Sequence, residues 1–374
     1  MIIKNIILHL FLIDGIGPSC IQLILNKIGS QRLFEIYDYS VKDFILFGIS
    51  EVKAQLLVQG LASRVLLEQE MLLMKQYQVS FVSICCLEYP DLLKEIHVPP
   101  VILYYQGNVE LLNNKKTLAC VGSRKASRYV FDVLTLMIVP LILDGWVIIS
   151  GGALGADTYA HQVTVAHGGK TIVVVGSGLC HVYPPQNKKL FHEIIQAGGV
   201  IVSSFSMNIK PEAHCFPIRN RIIAGLSRGC LVLQAAQKSG ALITAECAIN
   251  QGREVFAVPG SIFDPLSIGC HSLVQQGAKL VTSAYDILSE FVIDDHKHIS
   301  LQGIREKKSV SIAEKALQKD DLNQQILHCL ITPISVDLLM NKLSIDLSVL
   351  QNKLFDLSLE GLIEQDSMGF WKRL

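Results

Sequence analysis

Short, uninterrupted apolar runs recur through the middle of this chain, and they constrain its fold more than any other feature. Each run is rich in β-branched residues and is followed by glycine, serine or proline. Runs that are apolar without alternation are typical of strands buried on both faces, and helix-like segments lie between them. We therefore predict an α/β fold with a doubly wound parallel sheet. The runs are Leu118–Val121, Val147–Ile149, Thr171–Val175, Val200–Val202, Cys230–Leu233, Val255–Val258 and Leu280–Val281.

The segments on either side of this central zone have different patterns, and they set the predicted domain boundaries. Residues 1–105 have helical periodicity, and the turn at Asp14–Gly17 resembles that of a helix-hairpin-helix, whose backbone N–H groups can hold a phosphate. A small packing bundle is the plainer interpretation of this domain. Residues 106–292 contain the predicted sheet, and the charge-rich residues 293–320 form a predicted polar linker.

The last zone, residues 321–374, has the pattern of a small helical domain that ends in a hairpin. Three helical segments precede two short extended ones, which a turn at Ser367–Gly369 separates. This order predicts a winged helix. The predicted helices are Leu322–Leu330, Val336–Leu343 and Leu347–Glu360, and the extended segments are Leu362–Glu364 and Phe370–Lys372.

Charge and cysteine content exclude several classes of protein. The chain has 33 basic and 33 acidic side chains, and 50% of its 374 residues are hydrophobic, so it is neither polybasic nor intrinsically disordered. Ten cysteines without a C-x-x-C motif indicate reduced thiols in the cytoplasm rather than disulfides or a zinc site. No apolar run reaches the ~18 residues that span a bilayer, and the apolar start Ile2–Ile13 is interpreted as a buried helix rather than a signal peptide. We expect a cytoplasmic protein without a membrane span.

Loops of small residues follow several of the predicted strands, at the edge where open α/β sheets bind ligands. The first contains Gly122, Ser123 and Arg124, and the second begins with Ser150 and Gly151. Glycine lets backbone N–H groups approach an anion, and helix N-termini favour negative charge. The third loop contains Gly176 and Gly178, and the fourth contains Ser239, Gly240 and Thr244. The four loops together predict an anion site.

Basic residues gather near the same predicted edge. Lys188 and Lys189 follow a Tyr-Pro-Pro motif, and Arg219, Asn220 and Arg221 follow a Phe-Pro pair. Several cations along a groove suit the phosphates of a polymer better than one mononucleotide. A solvated helix start is the plainer interpretation of these charges.

No known catalytic or nucleotide-binding motif accompanies these groups. The chain lacks a P-loop and a complete dinucleotide fingerprint, and it has no nucleophile elbow, H-E-x-x-H motif or paired carboxylates at strand ends. Asp157 and His161 share a helix face, which is interpreted as a structural pair. The sequence thus predicts binding groups without a reacting group, and it implies no metal and no organic cofactor.

Read in order, the motifs of the central zone resemble those of the DprA/Smf family of DNA-processing proteins. The resemblance is dense over about residues 115–285 and weaker in the flanking domains. It rests on Val121–Arg124, Ser150–Asp157 with Ala160–His161, Gly176–Gly178, Tyr183–Pro185 with Asn187, Phe216–Ser227, Ser239–Ala245 and Gly252–Gly260.

The resemblance implies a non-catalytic protein that binds single-stranded DNA during natural transformation. Members of the family load RecA onto incoming strands and help to displace single-strand-binding protein. Their central domain is an extended Rossmann fold that forms homodimers, with a helical SAM-like or helix-hairpin-helix-like domain before it and a winged helix after it. We expect the same partners and the same architecture for this chain.

Carried over residue by residue, the resemblance assigns three surfaces. Arg124 matches the groove arginine of the family, Lys188 or Lys189 its lysine after the Tyr-Pro motif, and Arg219 and Arg221 its arginine pair. The predicted DNA-binding residues are therefore Gly122, Ser123, Arg124, Ser150, Gly151, Gly176, Gly178, Lys188, Lys189, Arg219, Asn220, Arg221, Ser239, Gly240 and Thr244. The predicted dimer interface contains His271, Val274 and Leu280, and the predicted RecA contact contains Glu246, Ile249 and Glu254.

Three positions depart from the family pattern. Leu154 stands where the family has arginine, and Ser204 and Gln234 stand where it has glutamate. The first change removes a cation from the second loop, and the other two make the groove less negative. They bear on the anion contacts of the loops more than on the fold.

Two alternatives remain open at this point. A Rossmann-type enzyme that hydrolyses nucleotides is the first, because the central zone is distantly similar to such proteins, although their P-G-G-x-G-T motif is absent. The second concerns the C-terminal domain, since a winged helix can bind duplex DNA or a protein. Its third predicted helix is not basic, so a protein contact is at least as good an expectation.

Overall fold

The computed structural model describes residues 3–291 without a break and shorter segments after them. The chain forms two compact units, Met1–Asp294 and Asp295–Leu374. The predicted linker, residues 293–320, lies outside the described residues. The described residues of the second unit are 326, 329–330, 334, 336–343, 345, 350, 353–354, 357–358, 362–365 and 371–373.

One sheet forms the centre of the first unit, with the strand order β1-β2-β6-β5-β4-β3-β7-β8-β9. Strands β3 to β9 run parallel, whereas β1 and β2 pair antiparallel with each other and β2 with β6. All seven strands predicted from apolar runs are present, so the predicted α/β fold with a mostly parallel sheet is confirmed. The strands are β1 Ser80–Ser83, β2 Ile102–Gly107, β3 Thr117–Val121, β4 Val147–Ser150, β5 Thr171–Val174, β6 Val200–Ser203, β7 Gly229–Val232, β8 Glu254–Ala257 and β9 Lys279–Leu280.

The central strands are apolar throughout because both faces of the sheet are covered. In β3, Leu118 and Cys120 point into the core on one face, while Ala119 and Val121 point into the core on the other. Alternate side chains of a strand face opposite sides, so a strand buried on both faces needs apolar residues at every position. This requirement explains the uninterrupted apolar runs.

Helices cover the two faces as the doubly wound pattern requires. Helices α7, α8 and α13 contribute to the core on one face, and α10, α11 and α12 to the core on the other. Helix α9 packs on β5 and β6 in a smaller cluster. These helices are α7 Arg128–Leu143, α8 Ala156–Ala166, α9 Lys188–Gln196, α10 Cys215–Gly225, α11 Gly240–Asn250, α12 Ile268–Gln275 and α13 Ala284–Phe291.

The N-terminal part of the first unit is helical, but it is not helical as far as residue 105. Strands β1 and β2 lie there and extend the sheet at its edge. They are short, and periodicity does not distinguish short apolar strands from helix segments. The apolar start forms a helix in which Ile6–Leu10 are buried, as predicted. The helices before β2 are α1 Ile3–Phe11, α2 Pro18–Ile28, α3 Val41–Leu46, α4 Glu51–Leu61, α5 Val65–Gln76 and α6 Asp91–Lys94.

The described part of the second unit contains a helix, Val336–Leu343, and a two-stranded antiparallel sheet of β10, Ile363–Gln365, and β11, Trp371–Arg373. These elements agree with the second predicted helix and with the two predicted extended segments. Most of the first and third predicted helices lies outside the described residues, so the winged helix stays a prediction. Among the described residues, no helix has the length and apolar character to cross a membrane.

Candidate functional site

The order of strands reverses between β3 and β7. Strands β4, β5 and β6 follow one another on one side of β3, whereas β7, β8 and β9 follow one another on its other side. The loops after β3 and β7 therefore diverge and leave a crevice, which is where doubly wound sheets bind ligands. A cavity of about 280 Å³ lies there, and its lining includes Gly122, Arg124, Asp157, Phe216, Arg219, Asn220, Ser239, Gly240 and Thr244. We call it the switch-point cavity.

Phe216, in the first turn of α10, brings two arginines of the switch-point cavity together. The guanidinium carbon of Arg124 lies 5.4 Å from the centre of the Phe216 ring, and that of Arg219 lies 5.8 Å from it. Arg124 is exposed, whereas Arg219 is 5% exposed. Both distances are within the range of cation–π contacts. The cavity thus has one accessible cation at its mouth and one buried cation behind it.

Arg219 is held at the base of the cavity by Asp157. Its Nη1 lies 3.8 Å from Asp157 Oδ2, and no described residue accepts a hydrogen bond from its Nε. Burial lowers the pKa of Arg219 and raises the pKa of Asp157, while each charge opposes the shift of the other. A buried donor without a partner carries a desolvation penalty that an anion in the cavity would relieve.

The backbone N–H groups of the second loop, after β4, already bind the carboxylate of Asp157. Asp157 Oδ2 accepts hydrogen bonds from the backbone N–H groups of Gly151 and Ala153, at 3.2 Å each. A Cβ atom on residue 151 would lie 1.1 Å from Arg219 Nη1, so only glycine leaves room for the guanidinium. Ser150 is buried and donates to Cys120 O. The structure therefore places Ser150 and Gly151 beneath the cavity, where they position Asp157 and Arg219.

The third loop, which follows β5, packs against α10 and against the loop after β6. A Cβ atom on Gly176 would lie 3.0 Å from the Phe216 ring, and one on Gly178 would lie 2.2 Å from Met207 O. The N–H of Gly178 donates to Ile209 O. Gly176 therefore permits the close approach of Phe216, and Gly178 that of the Met207 backbone. Lys188 and Lys189, at the start of α9, are exposed and line a different cavity.

The first turn of α11 contributes the positive end of a helix to the switch-point cavity. Ser239 is its N-cap and accepts a hydrogen bond from the N–H of Ala241. Asn220 Nδ2 lies 3.4 Å from Gly240 O, which fixes this turn against α10. Thr244 is buried one turn further on. The helix dipole and Arg124 both favour an anion in this cavity.

Arg221 is not brought into this group. Its Nη1 donates to His97 O at 2.9 Å, and its Nη2 donates to Val98 O at 2.6 Å. Residues two positions apart on a helix point in very different directions, so Arg219 and Arg221 do not share a face of α10. Ser123 is buried, and its hydroxyl accepts a hydrogen bond from the N–H of Lys125.

His161, on α8, is fully buried. Thr171 Oγ1 donates its one proton to Ile148 O, so His161 Nδ1 carries a proton and donates to Thr171 Oγ1 at 2.7 Å. The Nε2 atom is an acceptor without a hydrogen-bond partner among the described residues. Burial lowers the pKa of this imidazole to about 3, so the ring is neutral at pH 7.

The three departures from the family pattern occupy different environments. Leu154 is 41% exposed, and Ser204 is buried. Gln234 is buried, its Oε1 accepts from the N–H of Ser127, and its Nε2 donates to Asp264 Oδ2 at 3.0 Å. A glutamate at this position would face the carboxylate of Asp264, so the amide removes a like-charge contact.

The residues predicted for protein contacts lie outside the switch-point cavity. His271 and Val274 are on α12, and Leu280 is 47% exposed on the edge strand β9. Glu246 and Ile249 are on α11, where Ile249 is 53% exposed, and Glu254 is exposed at the start of β8.

Cys120 and Cys230, in the central strands β3 and β7, are buried. Burial raises the pKa of the Cys230 thiol to about 12 and also raises the pKa of Cys120, so neither thiol is an activated nucleophile. Within the described ranges, no group of three His, Cys, Asp or Glu residues is arranged to hold a metal ion.

Comparison with known proteins places this architecture among DNA-processing proteins. The family model described as DNA recombination-mediator protein A matches residues 80–292. The chain is 47% identical over 221 residues to DNA processing protein DprA of Streptococcus pneumoniae, which covers 59% of this chain and 77% of that protein. It is 40% identical over 216 residues to DprA of Bacillus subtilis, covering 58% of this chain and 72% of that protein.

Two solved structures are also similar. The X-ray structure of DprA from Streptococcus pneumoniae matches with a TM-score of 0.67 and 36% identity, covering 76% of this chain and 97% of that one. A structure of DNA processing protein A from Helicobacter pylori, described for its single-stranded DNA binding mode, matches with a TM-score of 0.53 and 28% identity. That match covers 59% of this chain and 98% of that one.

Proposed function

Because this chain belongs to the DNA recombination-mediator protein A family, whose members include proteins named DprA and Smf, we propose that it binds single-stranded DNA at the switch-point cavity. The similar protein from Helicobacter pylori, described for its single-stranded DNA binding mode, supports this proposal. The proposed role is in DNA processing during natural transformation.

The observation that carries the proposal is the contact of Arg124 and Arg219 with Phe216 beside the N-terminus of α11. An exposed guanidinium beside an aromatic ring offers a charge for a phosphate and a face for a base, which is the combination that single-strand-binding grooves use. The contacts involve phosphates and base faces rather than base edges. Binding should therefore depend strongly on salt and weakly on sequence.

Each cavity residue has a distinct proposed role. Arg124 contacts a phosphate directly, and the α11 N-terminus, with Ser239 and Gly240, faces the same phosphate. Arg219 contributes positive charge from its buried position at the base of the cavity, and Asp157 and Gly151 position its side chain. We propose that Lys188 and Lys189 contact the strand further along the edge, whereas Arg221 supports the site through α10.

The finer parts of the proposal concern partners. We propose that the protein loads RecA onto the bound strand through Glu246, Ile249 and Glu254, helps to displace single-strand-binding protein, and forms a homodimer through His271, Val274 and Leu280. The exposure of Ile249 and Leu280 supports these surfaces. We also propose that the protein acts without catalysing a reaction.

Substitution of Arg124 tests the site. We expect Arg124→Ala to weaken binding of a 35-nucleotide single strand and to reduce the slope of log K against log salt by about 0.7 per lost phosphate contact. Gel shifts at two or more salt concentrations measure both quantities. Arg32→Ala, which removes an exposed arginine from the N-terminal helical region, is the charge-matched control.

The result that would reject the site is specific. If Arg124→Ala and Arg32→Ala bind the strand equally well at every salt concentration, the switch-point cavity is not where DNA binds. Free mononucleotides serve as competitors in the same assay. Release of free base from them at an enzymatic rate would instead favour the nucleotide-hydrolysing alternative.

The C-terminal unit carries a separate proposal. We propose that residues 321–374 form a winged helix, which the helix Val336–Leu343 and the β10–β11 pair support. Deletion of the residues after 310, followed by separate measurements of duplex and single-strand binding, tests its role. Loss of duplex binding alone would assign it to DNA, and loss of neither would favour a protein contact.

A further inference from the structure

A second and larger cavity lies beside α9, and of its lining residues only Lys188 and Lys189 have a role above. Its volume is about 630 Å³, within the range of ligand sites. Its apolar lining comes from the residue after β5, from the first half of β6, from the loop after β5 and from α9. These apolar residues include Val175, Leu179, Val182, Phe191, Ile195 and Ile201. We call this cavity the α9 groove.

The polar side chains that line the α9 groove are two lysines, two histidines and two glutamines, so the formal charges of its described lining at neutral pH are positive. Lys188, Lys189, His181 and His192 all line it, and none of its described lining residues is acidic. The first turn of α9 contains no acidic residue, so both lysines stand at the positive end of the helix dipole. Cations there are unfavourable unless an anion offsets them. Lys189 has one exposed partner, Glu193, at 3.5 Å. An apolar floor below basic groups fits a molecule with an apolar part and a negative part.

Aromatic rings connect the α9 groove to the switch-point cavity. Tyr183 adjoins Val182 in the chain and is 41% exposed. The centre of its ring lies 6.0 Å from that of Phe216, which Arg124 and Arg219 contact. The Tyr183–Phe216 contact therefore links the loop that lines the groove to the wall of the switch-point cavity.

The spacing of the two sites suits one continuous strand. The near side of the groove is lined by Val175, directly after β5, and the cavity is lined by Gly122 and Arg124, directly after β3, with β4 between these strands. Two inter-strand steps of about 4.8 Å place the two ends about 10 Å apart. A stacked single strand rises about 3.4 Å per nucleotide, so this distance corresponds to about three nucleotides.

We propose that the α9 groove receives nucleobases of the strand whose phosphates occupy the switch-point cavity. This inference rests on the proposed function and adds a second subsite to it. The bases contact the apolar floor, and the adjacent phosphates lie near Lys188 and Lys189. A base has an apolar face whatever its sequence, so the subsite adds affinity without adding sequence preference.

The experiment compares a normal single strand of 20 nucleotides with a strand of the same length in which every nucleotide is abasic. Both carry the same phosphates, so the ratio of their dissociation constants reports the contribution of the bases. Val182→Asp adds a charge at the rim of the groove, and Ile195→Trp fills the groove without adding charge. Val65→Asp, at an exposed valine of α5, is the control for charge.

We expect the wild type to prefer the normal strand, and we expect both groove variants to reduce that preference about fivefold or more, as loss of one base contact predicts. Val65→Asp should leave the ratio unchanged. The charge added at residue 182 repels the phosphates of both strands equally and cancels in the ratio, so a fall in the ratio reports the lost apolar contact between Val182 and a base.

The outcomes separate this inference from the proposed function. If both groove variants, folded as judged by thermal denaturation, keep the wild-type ratio while Arg124→Ala still weakens binding, the groove inference is wrong and the proposed function stands. If the wild type shows no salt-dependent binding of either strand, the proposed function fails.

A second measurement distinguishes a nucleobase from a small amphipathic anion. The dye 1-anilinonaphthalene-8-sulfonate is the probe, since it combines an aromatic body with one negative charge. We expect the single strand to displace dye that binds the wild type but not Ile195→Trp. If such dye stays bound at saturating strand, the groove takes a small anion and the inference is overturned.

Discussion

His161 shows how one buried side chain affects the pH dependence of the whole molecule. Burial lowers its pKa to about 3, and an unfolded chain restores it to about 6.5. Between these values the unfolded chain binds a proton that the folded chain does not. The free energy of unfolding therefore falls as the pH falls below about 6.5.

We expect His161→Gln to remove this contribution. Between pH 6 and pH 4.5, the stability of the variant should depend less steeply on pH, by up to about 1.4 kcal/mol per pH unit. Urea denaturation followed by the fluorescence of Trp146, in a Trp371→Phe background, measures it in the first unit. His214→Gln, at an exposed histidine, should keep the wild-type slope. Equal slopes in all three proteins would contradict the assignment.

At the scale of single residues, sequence patterns predicted which residues lie close together at the cavity, but not the contacts that each of them makes. Gly122, Arg124, Arg219, Asn220, Ser239, Gly240 and Thr244 do line one cavity. The sequence did not reveal that Asp157 accepts the N–H groups of Gly151 and Ala153, because an anion of the chain and an external anion need the same glycine-rich loop. The Asp two residues after Gly155 was the available signal. The separation of Arg221 from Arg219 could have been inferred from helix geometry.

At the scale of elements, Gly155 connects the first and second loops. Its φ is +80°, and a Cβ atom there would lie 2.4 Å from Ser123 O and 2.6 Å from Arg124 O. Any other residue would both strain the backbone and push the Arg124 loop away. The position of the accessible arginine therefore depends on this glycine.

We expect Gly155→Ala to destabilise the protein by more than about 3 kcal/mol, or to weaken single-strand binding if the loops shift instead. Gly145→Ala is the matched control, because Gly145 has φ +83° and a Cβ there would face open space. Its cost should be the backbone strain alone, about 1–2 kcal/mol. Chemical denaturation measures both. A cost for Gly155→Ala no larger than that of Gly145→Ala, with unchanged binding, would show that the loops are not in close contact.

The elements that were predicted well from the sequence are strands buried on both faces, because such burial requires apolar residues at every position. Each parallel strand is covered on both faces, so β3 to β8 are recognisable as apolar runs. Strands β1 and β2 were missed, because β1 has four residues and both lie in an antiparallel edge that follows a helical region. Nothing in such a short segment distinguishes a strand from a helical turn.

At the scale of the whole molecule, the sheet has one edge that bears on assembly. Strand β9 has only two residues and pairs with β8 alone among the described strands, and Leu280 on it is 47% exposed. An exposed edge with an apolar side chain is a place where a second copy can pack. This geometry agrees with the surface proposed for the homodimer.

We expect Leu280→Lys to prevent formation of the proposed homodimer, because a charge buried at an interface without a partner is strongly unfavourable. Sedimentation equilibrium measures the mass. Leu143→Lys, at a leucine that is 80% exposed on α7, should remain dimeric. A monomeric wild type would reject the dimer proposal itself.

The internal hydrogen bonds of Asp157 have a consequence for selectivity. A cell contains abundant nucleoside phosphates, and each of them competes for any glycine loop that is vacant. Here the loop after β4 is already satisfied by a carboxylate of the chain, so one small metabolite finds few N–H groups to hold. A long strand differs, because it gathers many modest contacts along the edge of the sheet. By this argument a free nucleotide should compete only weakly with a single strand for the proposed site.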